Sequence, residues 1–349
     1  MNFVGIDLHK KTIVLCVMNQ DLKVIARRTF ACCETKAILA YFRDLGPFRA
    51  VVEATASYEW LVELLEPFAE AVILAHPGKL RVIAESSKKT DRLDAQVLAE
   101  FLARDLIPEA FRPNARQREH RALVRHRRRL KQAITAVKNK IRRIAADYNA
   151  DRRDLFTAAG RKHLAGLKLR DADRFVLDQL EAHRLFLEGQ IKDLAARLKA
   201  FASAAPPKEA EARAKLATIP GVGPVTVDVV VSELGDVSRF KSSKAVCAYV
   251  GLVPAVRQSD TKRKNLPITK QGSPLMRWAL VEAAWRAIRL SATWRRVYEG
   301  IRKRAGAKRA IVAVARRLLT VIAAMLRDGT NYDFLKVGEP PRRPRPRPA

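Results

Sequence analysis

FVGIDLHKKTIVLCVM, residues Phe3 to Met18, decides how the first part of the chain folds. Two apolar runs, FVGIDL and TIVLCVM, are broken by His9-Lys10-Lys11. That pattern is a hairpin signal, two strands joined by a short polar turn. Asp7 interrupts the first run, where burying a carboxylate is costly unless something neutralises it.

Outward from there, Leu22 to Phe30 offers a third strand, Thr35 to Leu45 a helix and Phe48 to Ala54 (FRAVVEA) a buried strand. Ser57 to Ala69 then reads as a helix, Ala71 to Ala75 (AVILA) as a strand and Asp91 to Arg104 as a helix. The order βββαβαβα matches a ribonuclease-H-like sheet. There the middle of strand one lies beside the end of strand four, and the last helix packs over both. Asp7, Glu53, Asp91 and Asp94 would converge in that arrangement, the last two on one helix face. Four carboxylates so placed repel one another unless a divalent cation neutralises them, and hard oxygen ligands select Mg²⁺, with Mn²⁺ also suitable. Two such ions activate a nucleophile and stabilise a leaving oxygen in phosphodiester chemistry. Each acid alone also has a structural reading: Asp91 as a helix cap, Asp94 as a first-turn acid, Glu53 as an exposed strand end.

Charge divides the 349 residues sharply. Lys and Arg number 67 against 36 Asp and Glu, a formal net charge of +31. Residues 1–100 carry 13 basic and 13 acidic side chains, so the excess lies beyond them. An ordinary metabolic enzyme does not need this, whereas a polyanionic partner explains it. No apolar run reaches the ~18 residues of a membrane span. The start of the chain lacks a signal-peptide core, and its four cysteines lack zinc or disulfide spacing. A reduced, cytoplasmic chain is expected.

Residues 111–145 hold 13 basic residues and one acid. Leu123, Leu130, Ile134, Val137, Ile141 and Ile144 form a heptad seam, repeated by Val176, Leu180, Leu187, Ile191, Leu194, Leu198 and Phe201. Two long helices follow, coiled together or against a second protomer, with Arg125, Arg127, Arg128 and Arg129 as a ridge for phosphates. Ala202 to Pro207 (ASAAPP) reads as a linker. Gly221 and Gly223, in TIPGVGPVT, resemble a helix-hairpin-helix turn whose amides approach a phosphate, although a plain tight turn would look the same. Ser259 is expected in a loop among Arg257, Lys262, Arg263 and Lys264, cations able to hold a phosphate. Lys270 and Arg277 extend that basic surface. On sequence chemistry alone an ordinary polar loop serine is the better fit. Ser242 and Ser243 look like helix caps.

Taken together, VGIDLHK, VVEAT, KTDRLDA, the GD..RF and YVGLVP segments, QS, ITKQG and the following Arg277 resemble the IS110 insertion-sequence transposases, the DEDD recombinases, from about residue 1 to 330. The resemblance implies a Holliday-junction-resolvase-like metal domain (1–110), a basic coiled-coil region (111–205), a mainly helical transposase domain (206–330) and a basic Pro/Arg-rich tail (331–349). It implies that Asp7, Glu53, Asp91 and Asp94 bind Mg²⁺ and that Ser259 attacks DNA to form a phosphoserine link. It further implies donor and target DNA, a structured non-coding guide RNA, and dimers that assemble into a synaptic tetramer. Asp260 departs from the glycine many relatives carry after the serine. Two rivals are a metal-dependent nuclease or junction resolvase without a covalent intermediate, and a non-catalytic nucleic-acid-binding protein.

Overall fold

The computed structural model describes residues 1–55, 57–83, 91–259 and 262–333. For 81–83, 91–93, 256–259 and 262–265 it describes only the course of the backbone. The Pro/Arg-rich tail from residue 334 onward and Asp260 lie outside the described residues. The chain forms two compact units, Met1–Arg112 and the remainder from Pro113.

The first unit is a mixed α/β layer. Its elements run β1 (Asn2–Leu8), β2 (Thr12–Met18), β3 (Val24–Ala31), α1 (Thr35–Asp44), β4 (Phe48–Glu53), α2 (Glu59–Leu65), β5 (Ala71–Ala75), α3 (Pro77–Ile83) and α4 (Asp91–Ala103). The expected elements are all present, and α3 is an addition. Five strands form one sheet in the order β3-β2-β1-β4-β5. β1 pairs antiparallel with β2, and parallel with β4.

Strand alternation sends alternate residues to opposite faces. Val4, Ile6, Ile13 and Leu15 pack with Ile38, Phe42, Leu61 and Leu65 in one cluster. Cys16 and Met18 meet Ala95 and Ala99 of α4, while Val51 and Ala75 join Leu98 and Leu102. Arg112, paired with Glu59 and Glu66, ties the end of the unit back to α2.

The second unit is mainly helical. It comprises α5 (Ala115–Asp147), α6 (Ala158–Gly166), α7 (Asp171–Ser203), α8 (Pro207–Ala217), α9 (Pro224–Leu234), α10 (Ser243–Val250), β6 (Pro254–Ser259), β7 (Lys262–Ile268), α11 (Pro274–Leu290), α12 (Ala292–Ala305) and α13 (Ala307–Asp328). Both heptad segments are helices of 33 residues, and they pack against each other.

The α7 seam differs from expectation in two places. Val176 is exposed and Leu177 takes the buried position. The gap between Leu180 and Leu187 is filled by Arg184, 1% exposed, whose guanidinium is satisfied by Glu181 and Glu188. A buried cation is tolerable when its donors are matched by carboxylates. Of ASAAPP only residues 204–206 connect α7 to α8, and a single hydrophobic cluster runs from Val124 to Tyr332. The boundary expected at 205/206 has no counterpart in the division into units.

Candidate functional site

Asp7 is the penultimate residue of β1. The parallel register with β4 runs to Ile6 beside Val52, so the next step brings Asp7 level with Glu53, the last residue of β4. Gly5 faces α4, since a Cβ there would collide with the carbonyl oxygen of Ala95 and the amide of Ala99. Val51 packs in the cluster formed with Leu98 and Leu102. Asp7 and Glu53 lie two residues beyond Gly5 and Val51, on the same face.

Phe3 packs in the cluster containing Leu98 and Leu102, whereas Gly5 meets Ala95 and Ala99. The helix therefore runs back along β1, and its first turn is directed toward the strand end that carries Asp7. Asp94 is half-buried on that turn, one turn before Leu98. Asp91 opens the helix, and its side chain lies outside the described residues. Among the described residues no three His, Cys, Asp or Glu side chains stand close enough to hold a metal ion.

Asp7 is 15% exposed, and its Oδ2 lies 3.2 Å from His9 Nε2. His9 was legible only as part of a turn. The turn folds it back because the His9 amide donates to the Thr12 carbonyl across the hairpin.

Ser259 is the last residue of β6 and pairs with Lys262, while Gln258 and Arg257 pair with Arg263 and Lys264. The expected loop is thus a hairpin. PAVRQS and KRKNLPI lack a continuous apolar face, so the usual strand signal is missing. The side chains of Ser259, Lys262, Arg263 and Lys264 lie outside the described residues.

The base of this hairpin is well defined. Thr269 N donates to the Val253 carbonyl, and Lys270 N to that of Gly251. Gly251 and Gly272 have positive φ, and a Cβ on either would collide with the opposing backbone, at Gln271 and Tyr249 respectively. Ser242 caps α10 by accepting from Ala245 N, as expected.

The cations named from sequence separate into two groups. Arg125 donates two hydrogen bonds to Glu233, at 2.8 and 2.9 Å, and Glu233 is only 3% exposed. Arg277 is also engaged, its Nη1 donating to the carbonyls of Val250, Gln271 and Gly272. Burial pulls its pKa down from the ordinary arginine value. Lys270 is exposed, with a left-handed backbone.

Arg127 and Arg128 line a cavity with Gly223 and Trp278, and Arg129 lines an adjoining one. Gly221 has φ +83°, and a Cβ there would lie 2.7 Å from Arg286 Cβ, so the turn between α8 and α9 sits tightly on α11. Composition had not singled out Trp278 or Arg286. Their signal, an aromatic and a cation eight residues apart on a helix, acquires meaning only beside α5.

Both units carry transposase sequence signatures. A transposase family of the DEDD, IS110 type matches residues 4–149, and the family described as "Transposase IS116/IS110/IS902 family" matches residues 213–299. The chain belongs to the IS110 family of insertion-sequence transposases. It is 27% identical to the transposase of insertion sequence element IS1111A from Coxiella burnetii, over 95% of this chain and 91% of that one. It is 26% identical to the pilin gene-inverting protein of Moraxella bovis, over 95% and 97%. The IS1328 transposase of Yersinia enterocolitica is 23% identical, over 81% and 83%. No described helix is long and apolar enough to cross a membrane.

Proposed function

We propose that this transposase cleaves and rejoins DNA through a serine nucleophile and a Mg²⁺-binding carboxylate site. The single observation that carries the reading is the placing of Asp7 and Glu53 on one sheet face at adjacent strand ends, with α4 returning its acidic first turn to that end. The strand order supports taking the first unit as ribonuclease-H-like. Asp7, Glu53, Asp91 and Asp94 are an all-oxygen donor set suited to Mg²⁺ or Mn²⁺. A bound divalent ion would supply Lewis acidity at the scissile phosphate and offset charge on the leaving oxygen.

The chain's own residues do the rest. Ser259 Oγ forms a bond to phosphorus as the bond from phosphorus to the sugar oxygen breaks. The serine proton leaves to a base, and the departing sugar hydroxyl takes one up. Attack by a sugar hydroxyl of the second DNA reverses these events and frees the serine, so strands are exchanged without net hydrolysis. Arg257, Lys262, Arg263 and Lys264 flank Ser259 in the hairpin and would neutralise phosphate charge. His9 would help orient the Asp7 carboxylate.

Asp7 and Ser259 belong to different compact units, which agrees with a site completed between protomers of a dimer or synaptic tetramer. A formal net charge of +31 supports capacity for a guide RNA as well as DNA. Replacing Ser259 with alanine tests the central step. The covalent protein–DNA adduct should vanish from a denaturing gel. Persistence of cleavage without any adduct in the wild type would favour a hydrolytic nuclease.

A further inference from the structure

We propose that the cavity bounded by α5, the start of α9 and α11 binds one unpaired nucleotide of a nucleic-acid strand, its base stacked on Trp278 and its phosphate held by Arg127, Lys131 and Arg286. This rests on the nucleic-acid reading above and gives it a location. The cavity encloses about 590 Å³, ample for a nucleotide.

Arg127, Arg128, Lys131 and Arg286 line it with a single acid, Glu282. None of those four cations is ion-paired among the described residues. Their neighbours differ. Arg121 and Arg125 spend their charge on Glu233, and Arg116 and Arg213 spend theirs on Glu209. Clustered, unneutralised cations repel one another, and an anionic ligand removes that cost.

Trp278 says what kind of anion. It is 37% exposed, a large apolar ring left open inside a cationic cavity. The Arg128 guanidinium lies 4.6 Å from the ring centroid. A ring with a cation on it and solvent beside it is a platform on which a base can stack.

The backbone adds donors. Gly223 begins α9 without any side-chain cap, and Pro224 has no N–H to offer. The amides of Val225 and Thr226, in the first turn, have no carbonyl within their own helix to bond. Arg286 Nη1 comes within 3.7 Å of where a Gly223 Cβ would stand, so this guanidinium sits beside the helix start. Charge and amides thus converge at one end of the cavity.

The base must be unpaired. In a duplex both faces of a base are covered by its neighbours, so none is free to lie on Trp278. A second cavity of about 620 Å³ shares Arg128, Gln132 and Leu275 with the first and continues past Arg129 to Ser273 and Pro274. A strand leaving the Trp278 cavity would therefore continue past a further cation, Arg129.

The test measures binding of full-length protein to dT12, rU12 and a 12-bp duplex, in EDTA so that no strand is cut. Trp278→Ala should weaken single-strand binding about 5- to 100-fold and leave the salt slope and the duplex affinity unchanged. Trp278→Phe should restore most of the loss. Arg127→Gln and Arg286→Gln should each flatten the single-strand slope by about 0.7. Loss on rU12 alone or dT12 alone supports the site and identifies the strand.

Wild-type affinity of Trp278→Ala for both oligonucleotides, or equal losses on single strand and duplex, would overturn the proposal. Should the variant not fold, iodouracil crosslinking of the wild type decides. An adduct on the peptide containing Trp278 supports the site, and adducts confined elsewhere reject it. Because no metal is present, a failure of the catalytic reading would leave these results untouched.

Discussion

Gly5 of β1 and Ala95 of α4 touch backbone to backbone: any Cβ on the glycine would overlap the alanine carbonyl oxygen. The strand bearing Asp7 and the helix opened by Asp91 can approach this closely only because position 5 has no side chain. Gly5→Ala should lower stability by about 1–3 kcal/mol, the usual cost of overpacking. It should also impair strand cleavage, since α4 must retreat from the acidic end. Thermal melting measures the first effect, and an unchanged midpoint would refute it.

Asp7→Asn should abolish Mg²⁺-dependent cleavage while leaving the fold and DNA binding intact. The Asp7 side chain is only 15% exposed, with His9 beside it. Restored cleavage at high Mn²⁺ would be informative about ligand strength. Full activity in Mg²⁺ would remove Asp7 from the site.

Arg125 and Arg127 should respond oppositely to truncation. Arg125→Ala deprives buried Glu233 of two hydrogen bonds, leaving Arg121 at 3.8 Å as the remaining cation. A stability loss of about 1–3 kcal/mol is expected. Arg127→Ala should cost almost no stability yet weaken nucleic-acid binding. Denaturant titration alongside salt-dependent binding separates the two.

Acid should loosen the second unit in a definable window. The Lys208 ammonium, hydrogen-bonded to Asp236, together with the Ser238 amide, holds that carboxyl down to about 2 from an ordinary 3.8. For Asp228, burial opposes ionisation, but hydrogen bonds from His120 and Arg213 outweigh it and keep its pKa below the usual value. A carboxyl with a depressed folded pKa stabilises the fold above its unfolded pKa, and that contribution disappears as pH falls through the folded one. Stability should therefore decline from below pH 4 toward pH 2. In Lys208→Ala, carboxyl NMR should find Asp236 titrating closer to 3.8, and an unmoved titration would disprove the pairing.

Gly251→Ala should release the base of the β6–β7 hairpin, because its Cβ would strike the Gln271 backbone and its φ is +75°. If Ser259 acts from that hairpin, adduct formation should fall well before the protein unfolds. Faster amide exchange at Thr269 and Lys270 would report the loosening, and native exchange would contradict it.

Alternation in β1 and β2, the glycines at turns and the heptad spacing were all legible, and each foretold its element. Such signals are periodic, and a period of two or of about 3.6 is written in adjacent residues. The β6–β7 hairpin is not legible in the same way, because its strands lack an apolar face. Spacing alone does not separate Val176 from Leu177, because a one-residue offset is invisible when both are apolar.

The sequence by itself determined an α/β first part, a helical second part, a cationic excess confined beyond residue 100 and four acids in suggestive places. The sequence pattern put strand one beside strand four, but only the tertiary structure fixed the register, which brings Asp7 level with Glu53. The tertiary structure alone decided which arginines are spent internally. Arg125 meets a carboxylate 108 residues away, whereas Arg127, two positions on, meets none among the described residues. Local periodicity sets which face a residue occupies. Whether a charge on that face is neutralised depends on what the rest of the chain brings to it, and no local pattern records that.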